Sequence, residues 1–318
     1  MSIALLGTGY WGKNIGRVLK EESLLFAICD QDSARAAKFS DTFKVPILTL
    51  LEILSSDCVA VAIALPAEMH FEVARKCLLA GKHVFVEKPL ALSTSESLEI
   101  LKLADDSNLQ VMVGHILQFH NCFKKFKEII KSNKYGELKK VEATRMSFGK
   151  IRNNENVMWS FAPHDISMIL SLVNSNIQNV SAQGVAVVQD HIFDTAKIDI
   201  KFKNGVTAEV ISSWLSPFKR QTCVATTSKA LIIFDDTAIW DEKLRVVEYN
   251  ISSKKNMIEL NKREDRFIKV SENEPLKSEI QFFWQVVCGK EENLISDARE
   301  GLKVVEILER AEMSIRSI

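Results

Sequence analysis

The chain has 318 residues, with 41 Lys and Arg against 41 Asp and Glu, 47% hydrophobic residues and 26% charged. A single core stops growing at roughly 250–300 residues, so two domains are expected, and the apolar fraction is too high for a disordered chain. Zero net charge argues against a general nucleic-acid binder, which needs a basic excess to displace counterions, and no apolar run nears the roughly 20 residues of a membrane helix.

In chain order, Ile3–Leu6 reads as a strand and Trp11–Lys20 as a helix. Ser2–Leu6 has no basic flank and runs into a glycine loop, so it is not read as a secretion signal. Leu24–Cys29 is a strand, Ser33–Phe43 a helix, Cys58–Leu65 a strand and Phe71–Ala80 a helix. His83–Val86, Ser93–Asp106 and Gln110–Val113 follow as strand, helix and strand. Near-continuous apolar strands alternating with helices predict a doubly wound parallel sheet, an α/β Rossmann domain over residues 1–120. Ser93 and Glu96 have the spacing of a capping box, with Leu98, Leu101 and Ala104 as the expected buried stripe.

The pattern changes after His120. Asn121–Ser132 reads as one helix. Alternating segments follow at Lys140–Phe148, Val180–Val188, Ala196–Phe202, Thr207–Trp214, Gln221–Thr226 and Ala230–Phe234, with a hairpin signal at Lys203–Val206. Helices are expected at Lys277–Val287 and Ala298–Ile315. Residues 121–318 are therefore predicted to form an α+β domain with a large, mostly antiparallel open sheet. No repeat or Pro/Gly/Ser linker interrupts the chain. The six cysteines are scattered and without CxxC pairs, so they read as reduced core residues of a cytoplasmic protein, and no metal site is expected.

The strongest local signal is Gly7-Thr8-Gly9-Tyr10-Trp11-Gly12, between an apolar strand and a helix. Gly7 permits a tight turn, Gly9 lets backbone approach a pyrophosphate, and Gly12 lets the helix pack on the strand. The helix N-terminus then faces the phosphates. Asp30 ends the next strand, where a carboxylate can take both ribose hydroxyls; without an adjacent Arg it favours NAD over NADP. Glu87-Lys88-Pro89 ends another strand, placing the Lys88 cation where a nicotinamide and a substrate oxygen would lie. Leu65 and Pro66 end the neighbouring strand and would border the cofactor; His70, close behind, is a further candidate and also a plausible helix-start residue. In Trp159–Ser167, Pro163 and Asp165 look like helix-start residues, which would put His164 near a helix N-terminus and keep its ring neutral and base-competent.

Taken together, the glycine loop, Asp30, Glu87-Lys88-Pro89 and Pro163-His164-Asp165 resemble the glucose-fructose oxidoreductase/inositol dehydrogenase (Gfo/Idh/MocA) family over essentially the whole chain. Gly9–Asn14, the run from Arg152 through Asn156 to Ser167, and Ser213–Lys219 resemble its nucleotide-sugar branch, UDP-N-acetylglucosamine 3-dehydrogenases and uronic-acid relatives. The resemblance implies NAD-dependent oxidation of a sugar C3 hydroxyl, supplying a 3-keto sugar to an aminotransferase, and a homo-oligomer, dimer or tetramer, assembled through the open sheet. Two places depart from the family pattern. Ser160 stands where many members carry Asp, and Gln118 and Asn121 stand where many carry Arg and Pro. Ser160 cannot be a carboxylate base, which leaves Lys88 and His164 as the proton-handling pair.

A UDP-sugar carries a pyrophosphate that Arg145, Lys150, Arg152, Lys219 and Arg220 could meet, while Trp159 and Trp214 could stack on uracil or sugar. His115, Ser160 and His164 complete the expected substrate set. Between Asn121 and Arg152 ten Lys/Arg face only three Glu, so the neutral total hides a local basic excess suited to a small anion. A polyol, inositol or aldose dehydrogenase, a UDP-N-acetylglucosaminuronate dehydrogenase and a catalytically silent dinucleotide-binding regulator remain open alternatives.

Overall fold

The computed structural model describes residues 2–149, 151–153, 155–254 and 257–316. It divides into two compact units, Met1–Phe119 with Glu274–Glu306 and His120–Asn273 with Ile307–Ile318.

The first unit runs β1 (Ile3–Leu6), α1 (Tyr10–Glu21), β2 (Leu25–Cys29), α2 (Ser33–Phe43), α3 (Leu50–Leu54), β3 (Ala60–Ile63), α4 (His70–Leu79), β4 (His83–Val86), α5 (Thr94–Asp106) and β5 (Val111–Val113). The five strands form one parallel sheet in the order β2-β1-β3-β4-β5. Every residue of β1, β3 and β5 is buried, as continuous apolar strands covered on both faces require. The chain leaves β1 in one direction to reach β2 and returns to β3 on the other side. This switch opens a crevice at the carboxyl ends of β1 and β3, where such sheets bind ligands.

Local details differ from the sequence expectation. Ser93 caps α5 by accepting from Glu96 N at 3.2 Å, but the Glu96 carboxylate reaches back to Leu92 N, so the box is only half formed. A complete box, Thr49 with Glu52, heads the short helix α3, which the sequence reading missed. The buried face of α5 is Ser97, Ile100 and Ala104, while Leu98 is exposed.

The second unit opens with α6 (Asn121–Lys131), β6 (Leu138–Phe148), α7 (Val157–Leu172), β7 (Ile177–Val185), β8 (Thr195–Phe202) and β9 (Thr207–Ser213). It continues through β10 (Leu215–Thr227), β11 (Ala230–Asp235), β12 (Leu244–Lys254) and β13 (Met257–Phe267). Its eight strands follow the order β13-β12-β11-β10-β6-β9-β8-β7. Only β6 and β9 pair in parallel; the other neighbours are antiparallel. The expected turn at Lys203–Val206 joins β8 to β9, with Gly205 at φ +86°. Strands β12 and β13 were not predicted: the polar run of β13 hides its pairing with β12. Helix α7 packs on β9, β6 and β8, and α6 on β11 and β12. Away from these helices Lys140, Glu209, Lys197 and Asp199 form a chain of ion pairs across β6, β9 and β8.

Helices α8 (Pro275–Val287) and α9 (Ala298–Arg316) end the chain. Residues 274–306 belong to the first unit, not to the second domain where the sequence reading placed them. The cause is the apolar stripe of α8. Leu276, Ile280 and Phe283 join the core of Ile3, Leu5, Ile15 and Phe85, with the Phe283 and Phe85 rings 5.7 Å apart.

Candidate active site

The glycine loop at the end of β1 is shaped by two positions that cannot carry a side chain. Gly7 has φ +91°, and a β-carbon there would lie 2.4 Å from the Ala64 carbonyl oxygen. At Gly12 a β-carbon would lie 2.1 Å from the Gly7 carbonyl oxygen. Above Gly9 nothing stands within 4 Å. Gly9 is also the N-cap of α1 and supplies no side-chain cap, so the first N–H groups of the helix are left for an outside acceptor. This cradle fits a dinucleotide pyrophosphate. Tyr10 beside it is exposed, whereas Thr8 is buried.

Asp30, at the end of β2, is more heavily bonded than its sequence position suggests. Its Oδ2 accepts from Thr8 N and Thr8 Oγ1, both at 2.7 Å, and from Arg35 Nε at 3.0 Å. Its Oδ1 accepts from Asp32 N at 2.9 Å and from the Arg35 guanidinium at 2.8 Å. Burial opposes the charge, but the Arg35 and Thr8 donors outweigh it and hold the carboxyl well below the usual carboxylate range. The expectation of an acid without a nearby Arg is thus corrected: Arg35, on the first turn of α2, returns to it. Asp32 accepts from Arg35 N and caps α2.

Further along the same sheet edge, His70 is buried, with Nδ1 2.7 Å from the Pro89 carbonyl and Nε2 2.9 Å from the Leu65 carbonyl. It ties the Leu65-Pro66 and Lys88-Pro89 turns together and heads α4, a bracing role that corrects its place among cofactor contacts. Burial disfavours its protonation, against the pull of those carbonyls. Glu87 follows β4 with Oε1 buried and unsatisfied. Its carboxyl lies over Gly114, where a β-carbon would approach within 3.0 Å. Burial pushes Glu87 up to about 7, opposed by Lys88 and a hydrogen bond from Trp11. The second carboxyl of this cluster, Glu279 on α8, is 1% exposed with Oε1 unsatisfied, and burial and Glu87 push it well above the carboxylate range. The sequence reading missed Glu279, although 276, 279, 280, 283 and 286 form one helical stripe on which a lone acid stands out. His115, expected at the substrate, is 1% exposed, with Nδ1 3.2 Å from Glu300.

In the second unit α7 starts at Val157, capped by Asn156, whose side chain accepts from Met158 N. Pro163 lies inside this helix. The expected start at Pro163 is therefore corrected, and with it the argument that a helix N-terminus keeps His164 neutral. Pro is tolerated there at the loss of one helical hydrogen bond to Trp159 O. Phe161 and His164 are the positions of the first two turns that are not buried, and Ser160 lies one turn before His164 on the same side.

The expected phosphate and stacking residues divide. Arg145 does not present a free fork: Nε and one terminal nitrogen bond Asp165 at 2.8 and 3.0 Å, with the Asp165 side chain buried and that of Arg145 11% exposed. Trp214 is fully buried and donates its indole N–H to Asp194 at 2.5 Å, while Asp194 also accepts from Val187 N and Val188 N. Trp159 donates to Glu312 at 3.1 Å and is 6% exposed. Neither indole offers the face that stacking needs. Arg152, beside Glu155, and Lys219 and Arg220 on β10 are exposed. Lys150 lies outside the described residues. Among the described residues no His, Cys, Asp or Glu group could hold a metal ion, and no helix is long and apolar enough to cross a membrane.

Residues 1–115 match the oxidoreductase family with an NAD-binding Rossmann fold, and residues 123–233 match the GFO/IDH/MocA C-terminal domain. The chain belongs to the Gfo/Idh/MocA family. This Gfo/Idh/MocA chain is 27% identical to UDP-N-acetylglucosamine 3-dehydrogenase of Acidithiobacillus ferrooxidans over 214 residues, 67% of each chain. It is 26% identical to myo-inositol 2-dehydrogenase of Thermotoga maritima over 231 residues, covering 67% of this chain and 68% of that one. The solved structure of the Acidithiobacillus enzyme superposes with a TM-score of 0.87 at 21% identity, covering 100% of this chain and 98% of the other. A gentamicin-biosynthesis protein, GenD2, solved with NAD, superposes with a TM-score of 0.83 at 19% identity, covering 99% and 94%. The family assignment gives NAD as the cofactor and an oxidoreductase as the class, and the glycine cradle fits a dinucleotide.

Proposed function

We propose that this dehydrogenase oxidises the C3 hydroxyl of a UDP-N-acetylhexosamine to a 3-keto nucleotide sugar. The observation that carries the reading is the relative of that activity, matched over 67% of both chains. When bound, NAD supplies the hydride acceptor. The chain's own residues would do the rest. The open backbone at Gly9 and the start of α1 position the pyrophosphate, and Asp30, oriented by Thr8, takes the ribose. His164, half-buried on α7, accepts the C3 hydroxyl proton as general base. Lys88, just after β4 in the first unit, is the other proton-handling candidate. Ser160, one turn from His164, has no carboxylate to share the proton, so His164 works without an Asp partner at that place. Arg152 and Lys219, exposed cations of the second unit, meet the pyrophosphate of the sugar nucleotide. A 3-keto product suits an aminotransferase as the next enzyme. The open sheet of the second unit would serve a homo-oligomer.

The test is to mix the chain with NAD and a panel of UDP-sugars and free polyols and to follow NADH absorbance, with an aminotransferase added to draw off the ketone. Turnover of a UDP-N-acetylhexosamine is expected. Turnover of a polyol alone would favour the second reading, for which the inositol dehydrogenase relative speaks. Turnover of the uronate alone would move the substrate to the C6 acid. NADH binding with no turnover at all would favour a silent regulator.

A further inference from the structure

We propose that Arg35 makes the ribose end of this cofactor site tolerant of a 2′-phosphate, so that the chain binds NADP(H) as well as NAD(H). The inference rests on dinucleotide binding in the first unit and not on the sugar substrate. An ionised carboxylate offers about four lone-pair sites. Asp30 already receives five hydrogen bonds, from Thr8 N, Thr8 Oγ1, Asp32 N and two guanidinium nitrogens of Arg35. An arriving ribose diol must displace one of them. The Thr8 and Asp32 donors are held by the turn and the backbone. Arg35 is the donor on a long flexible arm, its side chain 43% exposed while the Asp30 side chain is 4% exposed. Arg35 is therefore the group that yields.

A guanidinium released there stays tethered to the first turn of α2, beside the ribose edge it has just left. Its planar fork matches a phosphate bidentately, and it cancels the charge by which Asp30 would repel that phosphate. Asp32, 3.9 Å from the other terminal nitrogen of Arg35, keeps one negative charge at the mouth of the site. Tolerance with NAD still preferred is thus expected, not a reversal.

Equilibrium titration of coenzyme fluorescence with the full chain tests this, using NADH and NADPH as the probes. The wild type is expected to bind both, NADPH the more weakly by no more than about 30-fold. Arg35→Ala should lower the affinity for NADPH relative to NADH by about 10- to 100-fold, the worth of a charge-assisted phosphate contact. Arg35→Lys should fall between, as a point charge replaces a fork. If truncation unfolds the start of α2, Arg35→Gln carries the same comparison. NADH binding without measurable NADPH binding in the wild type would overturn the proposal, as would an equal loss of both coenzymes in every Arg35 variant. Binding of neither coenzyme would overturn it together with the NAD-binding reading.

Discussion

The two candidate regions are built by different means. The cofactor end of the first unit is held largely by backbone: Gly7 and Gly12 pack against carbonyl oxygens, and Asp30 accepts from two backbone N–H groups and the Thr8 hydroxyl besides the Arg35 guanidinium. The α7 region of the second unit is held by side-chain pairs, Arg145 with Asp165, Trp214 with Asp194 and Trp159 with Glu312. A backbone cradle leaves its residues few alternatives, so their role follows from type and spacing. A paired side chain can serve as scaffold or as ligand, and only its neighbours decide which. In the second unit Arg145, Trp159 and Trp214 are scaffold, Arg152, Lys219 and Arg220 are exposed, and His164 is half-buried.

The sharpest division between scaffold and chemistry is His164→Ala. Turnover should fall by roughly 10²–10⁴ while NADH affinity is retained, read by initial rates and coenzyme fluorescence. Full turnover would remove His164 from the chemistry. Arg145→Leu attacks the scaffold instead. Leaving Asp165 buried and unpaired should cost about 3–5 kcal/mol in denaturant unfolding, and adding Asp165→Leu should return most of it. If the double variant were no more stable than the single one, the pair would not be the support described.

In the first unit Gly12→Ala sets a β-carbon against a backbone oxygen that no rotamer can relieve. A stability loss of about 1–3 kcal/mol is expected, together with an NADH affinity at least tenfold weaker. An unchanged affinity would show that the loop does not hold the pyrophosphate. The last effect concerns Glu87 and Glu279. Their folded pKa values lie above the ordinary 4.5, with Glu87 up to about 7, so their protonated forms stabilise the fold. That contribution is complete below the unfolded value and is lost as pH rises through the folded one. Stability should therefore decline by on the order of 2–3 kcal/mol from about pH 5 to about pH 8. Glu279→Gln should flatten that decline, since an amide cannot ionise. An unchanged slope would mean that Glu279 does not carry it.

Much of the first unit is legible from sequence. Ile3–Leu6, Ser33–Phe43 and His83–Val86 are found where predicted, because buried parallel strands are apolar throughout and α2 is capped by the short polar side chain of Asp32. The same reasoning misplaces the start of α7. A proline usually marks a first turn, yet Asn156 caps the helix two turns earlier and packing tolerates Pro163 within it. Strands β12 and β13 escape because most of the side chains of β13 are exposed, so no alternation betrays it. Leu98 misleads for the opposite reason, an apolar residue left at the surface of α5.

Sequence by itself determined the two-part architecture and the glycine turn between β1 and α1, since each rests on residue type at fixed local spacing, and its resemblance to the Gfo/Idh/MocA family implied the NAD cofactor. Tertiary structure alone decided what long-range partners do with side chains. It returned residues 274–306 to the first unit, set Glu279 near Glu87, and committed Arg145 and Trp214 to acids twenty residues away in the chain. The physical reason is that a buried charge or indole N–H must find a partner wherever the fold brings one, and sequence spacing does not record that distance.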